Sequence, residues 1–144
     1  MVKVLVVDDF GPWCRQICSM LQKLVQLQII GEVSDGLEAV QRARELQPDL
    51  ILLDVGLPSI HGIEVARRIH EFSPKTKILF VAEDNSPDVA EAALGTGAHG
   101  FVVKSDAGKD LLPAVETVLR GERFISASLP LILKERAEDG IEKN

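Results

Sequence analysis

Four ionisable residues stand directly after apolar runs: Asp8 and Asp9 after "VLVV", Asp54 after "LILL" and Lys104 after "GFVV". Carboxylates about 4 Å apart repel by about 4 kcal/mol at an effective dielectric of 20, so three in mutual contact cost about 12 kcal/mol. A whole domain is stable by only about 5 to 15 kcal/mol. One lysine does not cancel that repulsion, so either a proton is retained at raised pKa or a divalent cation is bound. Oxygen-only ligands with room for water suit Mg²⁺, with Mn²⁺ as the substitute, held by one or two carboxylates and a phosphate oxygen. A cation opposite a carboxylate nucleophile is also the equipment of phosphoryl transfer. The plainer alternative is a solvated strand end, against which the lysine at the same edge argues.

These residues meet only if the chain between them brings the strand ends together. Five apolar runs recur at regular intervals: "VKVLVV" (2–7), "LQIIGEV" (27–33), "DLILLDV" (49–55), "KILFV" (77–81) and "GFVVK" (100–104). Between them lie stretches of helical spacing. The first runs from Pro12 to about Val25, with Cys14, Ile17, Cys18, Leu21 and Val25 on one face. The second opens on a capping-box pair, Asp35 and Glu38, and continues through Leu37, Val40, Ala43 and Leu46. The third carries Ile63, Ala66 and Ile69, and the fourth opens on Ser86 as cap with Pro87 at the first helical position. The last ends at Gly121, and its Pro113 places the helix start near Asp110 or distorts the helix there. Near-continuous apolar strands alternating with helices predict an α/β fold, a parallel sheet with helices on both faces. In such sheets ligands sit beyond the carboxyl ends of the strands. Asp8, Asp9, Asp54, Lys104 and the end of the fourth strand, Ala82-Glu83-Asp84, therefore converge on one edge.

The 144 residues suit a single core, and 46% apolar with 26% charged residues excludes wholesale disorder. No run approaches the ~20 apolar residues of a spanning helix, and the N-terminus does not read as a signal peptide, so a cytoplasmic protein is expected. A net charge of -6 without a basic block disfavours direct nucleic-acid binding by this segment. Cys14 and Cys18 lack a second ligand pair for a tetrahedral metal site and read as small buried hydrophobes. "GTGAHG" (95–100) matches a dinucleotide-binding pattern but follows a helix and opens a strand, the reverse of what that motif needs. His61, His70 and His99 have no ligand spacing, and Trp13 reads as an aromatic packed beside the acidic edge.

"VLVVDD", "LILLDVGLPSIHGIE" and "GFVVK", in this order and spacing, resemble the receiver domains of bacterial two-component response regulators. "LLPAVETVLRGERFIS" is most similar to receivers ahead of helix-turn-helix outputs. The resemblance implies a flavodoxin-like doubly wound (βα)5 fold with strand order 2-1-3-4-5 and a receiver over residues 1–125. After Gly121 the periodicity lapses, so 126–144 reads as a tail or linker, with Leu131, Ile132 and Leu133 a candidate short helix. It implies that Asp54 accepts a phosphoryl group from the phosphohistidine of a sensor histidine kinase or from a small phosphodonor. Asp8, Asp9, Asp54 and the backbone carbonyl of Gly56 would hold Mg²⁺, and Lys104 would pair with the phosphoryl oxygens. Pro58 and Gly62 would shape the loop after the acceptor. Gly56 and Asp84 stand where related receivers set the dephosphorylation rate. Receivers usually end strand four with Thr or Ser, whereas here Ala82 occupies that switch position and Phe101 the aromatic one. A hydrogen bond to a charged group is worth about 1.5 to 3 kcal/mol, so a smaller conformational shift is expected, with amides near Ala82 and Glu83 contacting the phosphoryl group.

The function expected is that of a signalling receiver rather than an enzyme, beyond self-phosphorylation and self-dephosphorylation. A Mg²⁺-dependent phosphohydrolase would want a second acid two residues after the nucleophile, where Gly56 stands. A degenerate receiver, docking or dimerising without phosphorylation, is the other alternative. The output is expected in a separate effector domain or partner protein, the chain being a stand-alone receiver or part of a longer regulator. A homodimer through helix four, strand five and helix five, with Leu111, Val115 and Leu119, is expected by analogy.

Overall fold

The computed structural model describes residues 1–129. Each apolar run forms a strand: β1 (Val2–Val7), β2 (Leu27–Val33), β3 (Leu50–Leu53), β4 (Lys77–Ala82) and β5 (Gly100–Val103). They alternate with α1 (Gly11–Leu21), α2 (Gly36–Leu46), α3 (Gly62–Phe72), α4 (Pro87–Leu94) and α5 (Ala107–Leu119), and a 3-10 turn, Lys104–Asp106, joins β5 to α5. Every pairing is parallel, as strands linked by helical crossovers require. The expected order 2-1-3-4-5 is present and extended by a strand the sequence pattern does not announce. This is β6 (Phe124–Ile125), which pairs with β5 to give β2-β1-β3-β4-β5-β6. Two residues are too few to carry a period. The proposed short helix at Leu131 to Leu133 lies outside the described residues, as does the rest of 130–144.

The pleat divides the apolar side chains between two layers. Leu5, Val7, Ile51, Leu53, Phe80 and Phe101 point toward α2, α3 and α4. Val4, Val6, Leu50, Leu52, Leu79 and Val102 point toward α1 and α5. Central β3 is buried along its whole length, while edge strand β2 is buried only at Val33. Each fully buried Leu, Ile, Val or Phe contributes about 1.5 to 3 kcal/mol, so the two layers hold the strand ends in a fixed order.

Helix boundaries follow local chemistry, with four corrections to the expectations above. Asp35 caps α2 as expected, its Oδ2 accepting from the Glu38 amide at 3.1 Å. Ser86 is the N-cap of α4, but its hydroxyl makes no cap bond, and the Asp84 carboxylate instead accepts the Ser86 amide at 2.7 Å. The first helix stops at Leu21, leaving Val25 exposed, because the chain must turn before β2. Leu37 is exposed as well, lying off the buried Ala39, Val40 and Ala43 face. Helix α5 starts at Ala107, three residues before Asp110, with Pro113 in its interior. The proline ring lies on the solvent side, where water can satisfy the carbonyl that loses its N–H partner. Gly121, at φ 84, then ends α5 in the left-handed conformation glycine adopts freely.

At the opposite end of the sheet, the imidazole of His99 is pushed down to about 4 by burial, with Lys77, Arg123 and His70 adding repulsion. Its depressed native pKa means that the unfolded chain binds more protons between about pH 6.5 and 4, so stability falls as pH drops through that window. Urea denaturation from pH 7 to 4.5 should show a shallower loss of stability for His99→Asn than for the wild type.

Candidate functional site

Backbone register carries the four ionisable residues to one place. β1 and β3 end together, with Val7 opposite Leu53, and the Asp54 amide donates to the Val7 carbonyl at 3.0 Å. The Asp8 amide does the same to Val33 at 2.9 Å, across β2. On the other side Ala82 is opposite Val103, so Lys104 emerges just beyond the end of β4. The carboxylate oxygens of Asp8, Asp9 and Asp54 lie within 4.8 Å of one another. Lys104 Nζ is 2.7 Å from Asp8 Oδ2 and 3.6 Å from Asp54 Oδ2.

Burial makes these contacts matter. Asp8 is 2% exposed and Asp54 8%, whereas Asp9 faces solvent. Each buried carboxylate also accepts a local amide, Asp8 from Phe10 and Asp54 from Val55, both at 2.9 Å. Asp54 is raised above the usual carboxylate range by burial and by Asp8, only partly offset by Lys104. Burial pulls Lys104 down, but its hydrogen bond to Asp8 and the charges of Asp54, Asp8 and Glu83 outweigh it and hold the ammonium above its ordinary value. The repulsion expected from the sequence is thus met in part by a raised pKa. The remainder fits a divalent cation, since three converging carboxylates offer hard oxygen ligands, one of them open to water.

The shell around these groups is specific. A cleft of about 260 Å³ is lined by Asp9, Asp54, Gly56, Ala82, Glu83, Asp84 and Lys104. Phe101 does not line it: the ring is fully buried on the α4 side of the sheet, its centroid 6.1 Å from that of Phe80. Trp13 packs beside the acidic edge as expected, with Lys104 Nζ 5.3 Å from its ring centroid, a cation-π distance. The buried Cys14 thiol donates to the Asp8 carbonyl at 3.4 Å and is pushed up to about 11 by burial and by Asp8, so it serves as a neutral packing group. Gly62 presses on the backbone at Asp54. Its amide donates to the Val55 carbonyl at 2.7 Å, and a Cβ there would come within 1.9 Å of the Asp54 carbonyl oxygen.

Two findings, one in α5 and one beside β5, go beyond or against the sequence reading. Leu111 and Val115, offered for a dimer face, are fully buried in the α1/α5 layer and belong to the core. Ser126, which no spacing or motif signals, is buried and its hydroxyl accepts the Val103 amide at 3.0 Å, next to Lys104.

The family described as "Response regulator receiver domain" matches residues 4–116. Response regulator GacA of Pseudomonas syringae pv. syringae is 34% identical over 129 residues, covering 90% of this chain and 60% of that protein. A "Putative transcriptional regulator" of Pseudomonas aeruginosa is 40% identical over 121 residues, covering 84% of this chain and 58% of that protein. The chain thus spans about 60% of the length of such relatives. The crystal structure of a LuxR-family two-component response regulator from Aurantimonas sp. SI85-9A1 superposes with a TM-score of 0.85 at 29% identity, over 98% of this chain and 99% of that one.

Four substitutions test the electrostatics and packing. Lys104→Met leaves Asp8 buried without its partner and should destabilise by about 3 to 5 kcal/mol in urea titration, with Asp8→Asn recovering part of the loss. The raised pKa of Asp54 means that ionising it costs native stability, so Asp54→Asn should raise the midpoint at pH 7, a gain that fades as the pH falls through the pKa of native Asp54. Gly62→Ala should cost about 1 to 3 kcal/mol by overpacking against the Asp54 carbonyl.

Proposed function

Because the chain belongs to the response regulator receiver domain family, we propose that it is a phospho-accepting signalling receiver in which Asp54 takes the phosphoryl group. The observation that carries the reading is the Lys104 ammonium, its side chain 11% exposed, held between Asp8 and the slightly more distant Asp54. Asp54 keeps one oxygen tied to the Val55 amide, while Oδ2 is turned to the Lys104 side. In the transfer an Asp54 oxygen forms the new bond to phosphorus. The phosphorus–nitrogen bond of a sensor kinase's phosphohistidine breaks, its electron pair staying on the imidazole, which takes up a solvent proton. With acetyl phosphate the phosphorus–oxygen bond breaks instead and acetate leaves. Lys104 stays protonated and hydrogen-bonds the phosphoryl oxygens, so its contribution is charge neutralisation and positioning.

Asp8, Asp9, Asp54 and the Gly56 carbonyl are the groups that would hold Mg²⁺ or Mn²⁺, which when bound would neutralise the carboxylates and the phosphoryl oxygens together. Asp84, exposed at the cleft, and Gly56, which adds no side chain there, are the positions we assign to the lifetime of the acyl phosphate. The kinase is the upstream partner, and the output lies in an effector domain or a downstream protein. A second reading, a docking module that is never phosphorylated, draws on Ala82, which is buried and supplies no hydroxyl to the cleft. Intact-protein mass after incubation with acetyl phosphate separates the two. A gain of one phosphoryl group that requires Mg²⁺ and is absent in Asp54→Asn is expected; no gain in the wild type would favour the docking module.

A further inference from the structure

We propose that the segment from Phe124 to Leu129 senses the state of the phosphorylation site through β5, with Ser126 as the residue that positions Lys104. This rests on the phospho-accepting reading above. The segment grips the chain on both sides of Lys104. Before it, the Val103 amide donates to Ser126 Oγ at 3.0 Å, inside the protein, and Ser126 is 0% exposed. After it, the Ser128 hydroxyl donates to the carboxylate of Asp106 at 2.5 Å, and Asp106 closes the 3-10 turn that Lys104 opens. Leu129 is buried in the apolar cluster that also holds Ala82 and Phe101.

The use of a side chain at Ser126 is the telling detail. The Phe124 amide bonds the His99 carbonyl at 3.1 Å and the Ser126 amide bonds the Phe101 carbonyl at 3.0 Å, a regular parallel ladder. The next rung would join the Val103 amide to the Ser126 carbonyl. That carbonyl instead accepts the Leu129 amide at 3.1 Å, and the hydroxyl takes its place on Val103. The chain therefore turns away from the sheet without releasing the residue before Lys104. Ala82 has no hydroxyl with which the end of β4 could follow a phosphoryl group, and Phe101 is already internal. A displacement of Lys104 toward phosphoryl oxygens acts on Val103 and Asp106, and through their bonds on Ser126 and Ser128. Coupling of this kind is reciprocal: altering the segment must alter affinity at the site by the same factor.

The test uses the full chain with Mg²⁺ and beryllofluoride as the phosphoryl analogue. Hydrogen exchange over residues 124–129 should change by about five-fold or more on ligation, together with exchange around Asp54. Ser126→Ala and Ser128→Ala should each shift beryllofluoride affinity by about five-fold, and Ser126→Thr, which keeps the acceptor oxygen, should restore it. If Ser126→Ala does not fold, the exposed Ser128→Ala carries the affinity measurement. Unchanged exchange over 124–129 while the Asp54 region responds, or wild-type affinity in the folded alanine variants, overturns this proposal alone. An Asp54 that neither responds to beryllofluoride nor gains mass with acetyl phosphate overturns the phospho-accepting reading and this proposal with it.

Discussion

The contact of Lys104 with Asp8 and Asp54 is the constraint around which the carboxyl end of the sheet is organised. The lysine leaves β5 and has to pass the end of β4 before it meets carboxylates from β1 and β3, so a long flexible stem is required and a short terminal residue on β4 leaves its path open. The two distances are unequal, 2.7 Å to Asp8 and 3.6 Å to Asp54. Asp8 lies the closer to the ammonium, and Asp54 has its proton affinity raised by burial and by the Asp8 charge, which Lys104 offsets only in part. A carboxylate left short of positive charge is the one with most to gain from a second cation and an electrophilic phosphorus.

That arrangement would be useless without rigidity behind it. β3 is buried along its length and delivers Asp54 from the centre of the sheet, while Gly62 lets α3 start directly against the Asp54 carbonyl. β5 is buried as fully as β3, but the turn after it, Lys104–Asp106, is partly exposed, and β6 braces β5 from the outer side. Asp54 thus follows a central strand and Lys104 opens a partly exposed turn one strand from the margin, so of the two charges the lysine has the more freedom to move.

Much of this was legible beforehand, for reasons particular residues make clear. The five main strands are apolar runs at regular spacing, and their order is what the resemblance of the three motifs to receiver domains implies. Asp8, Asp9, Asp54 and Lys104 could be picked out because an ion at the end of an apolar run has no structural excuse. Pro113 misled, since its ring points to water where a helix can absorb it, and Leu111 and Val115 misled because a buried face and a docking face share one periodicity. β6 and Ser126 were illegible for a different reason. Their roles depend on which amide lies opposite in space, 23 residues back in the chain, and no local pattern encodes that pairing.

Trp13, the protein's single tryptophan, rests its ring 5.3 Å from the Lys104 ammonium. An indole's emission energy depends on the electric field along its long axis, and a point charge at that distance is among the strongest local sources of field. The fold therefore carries an intrinsic optical gauge of where the lysine's charge sits, with no second indole in the chain to blur its signal.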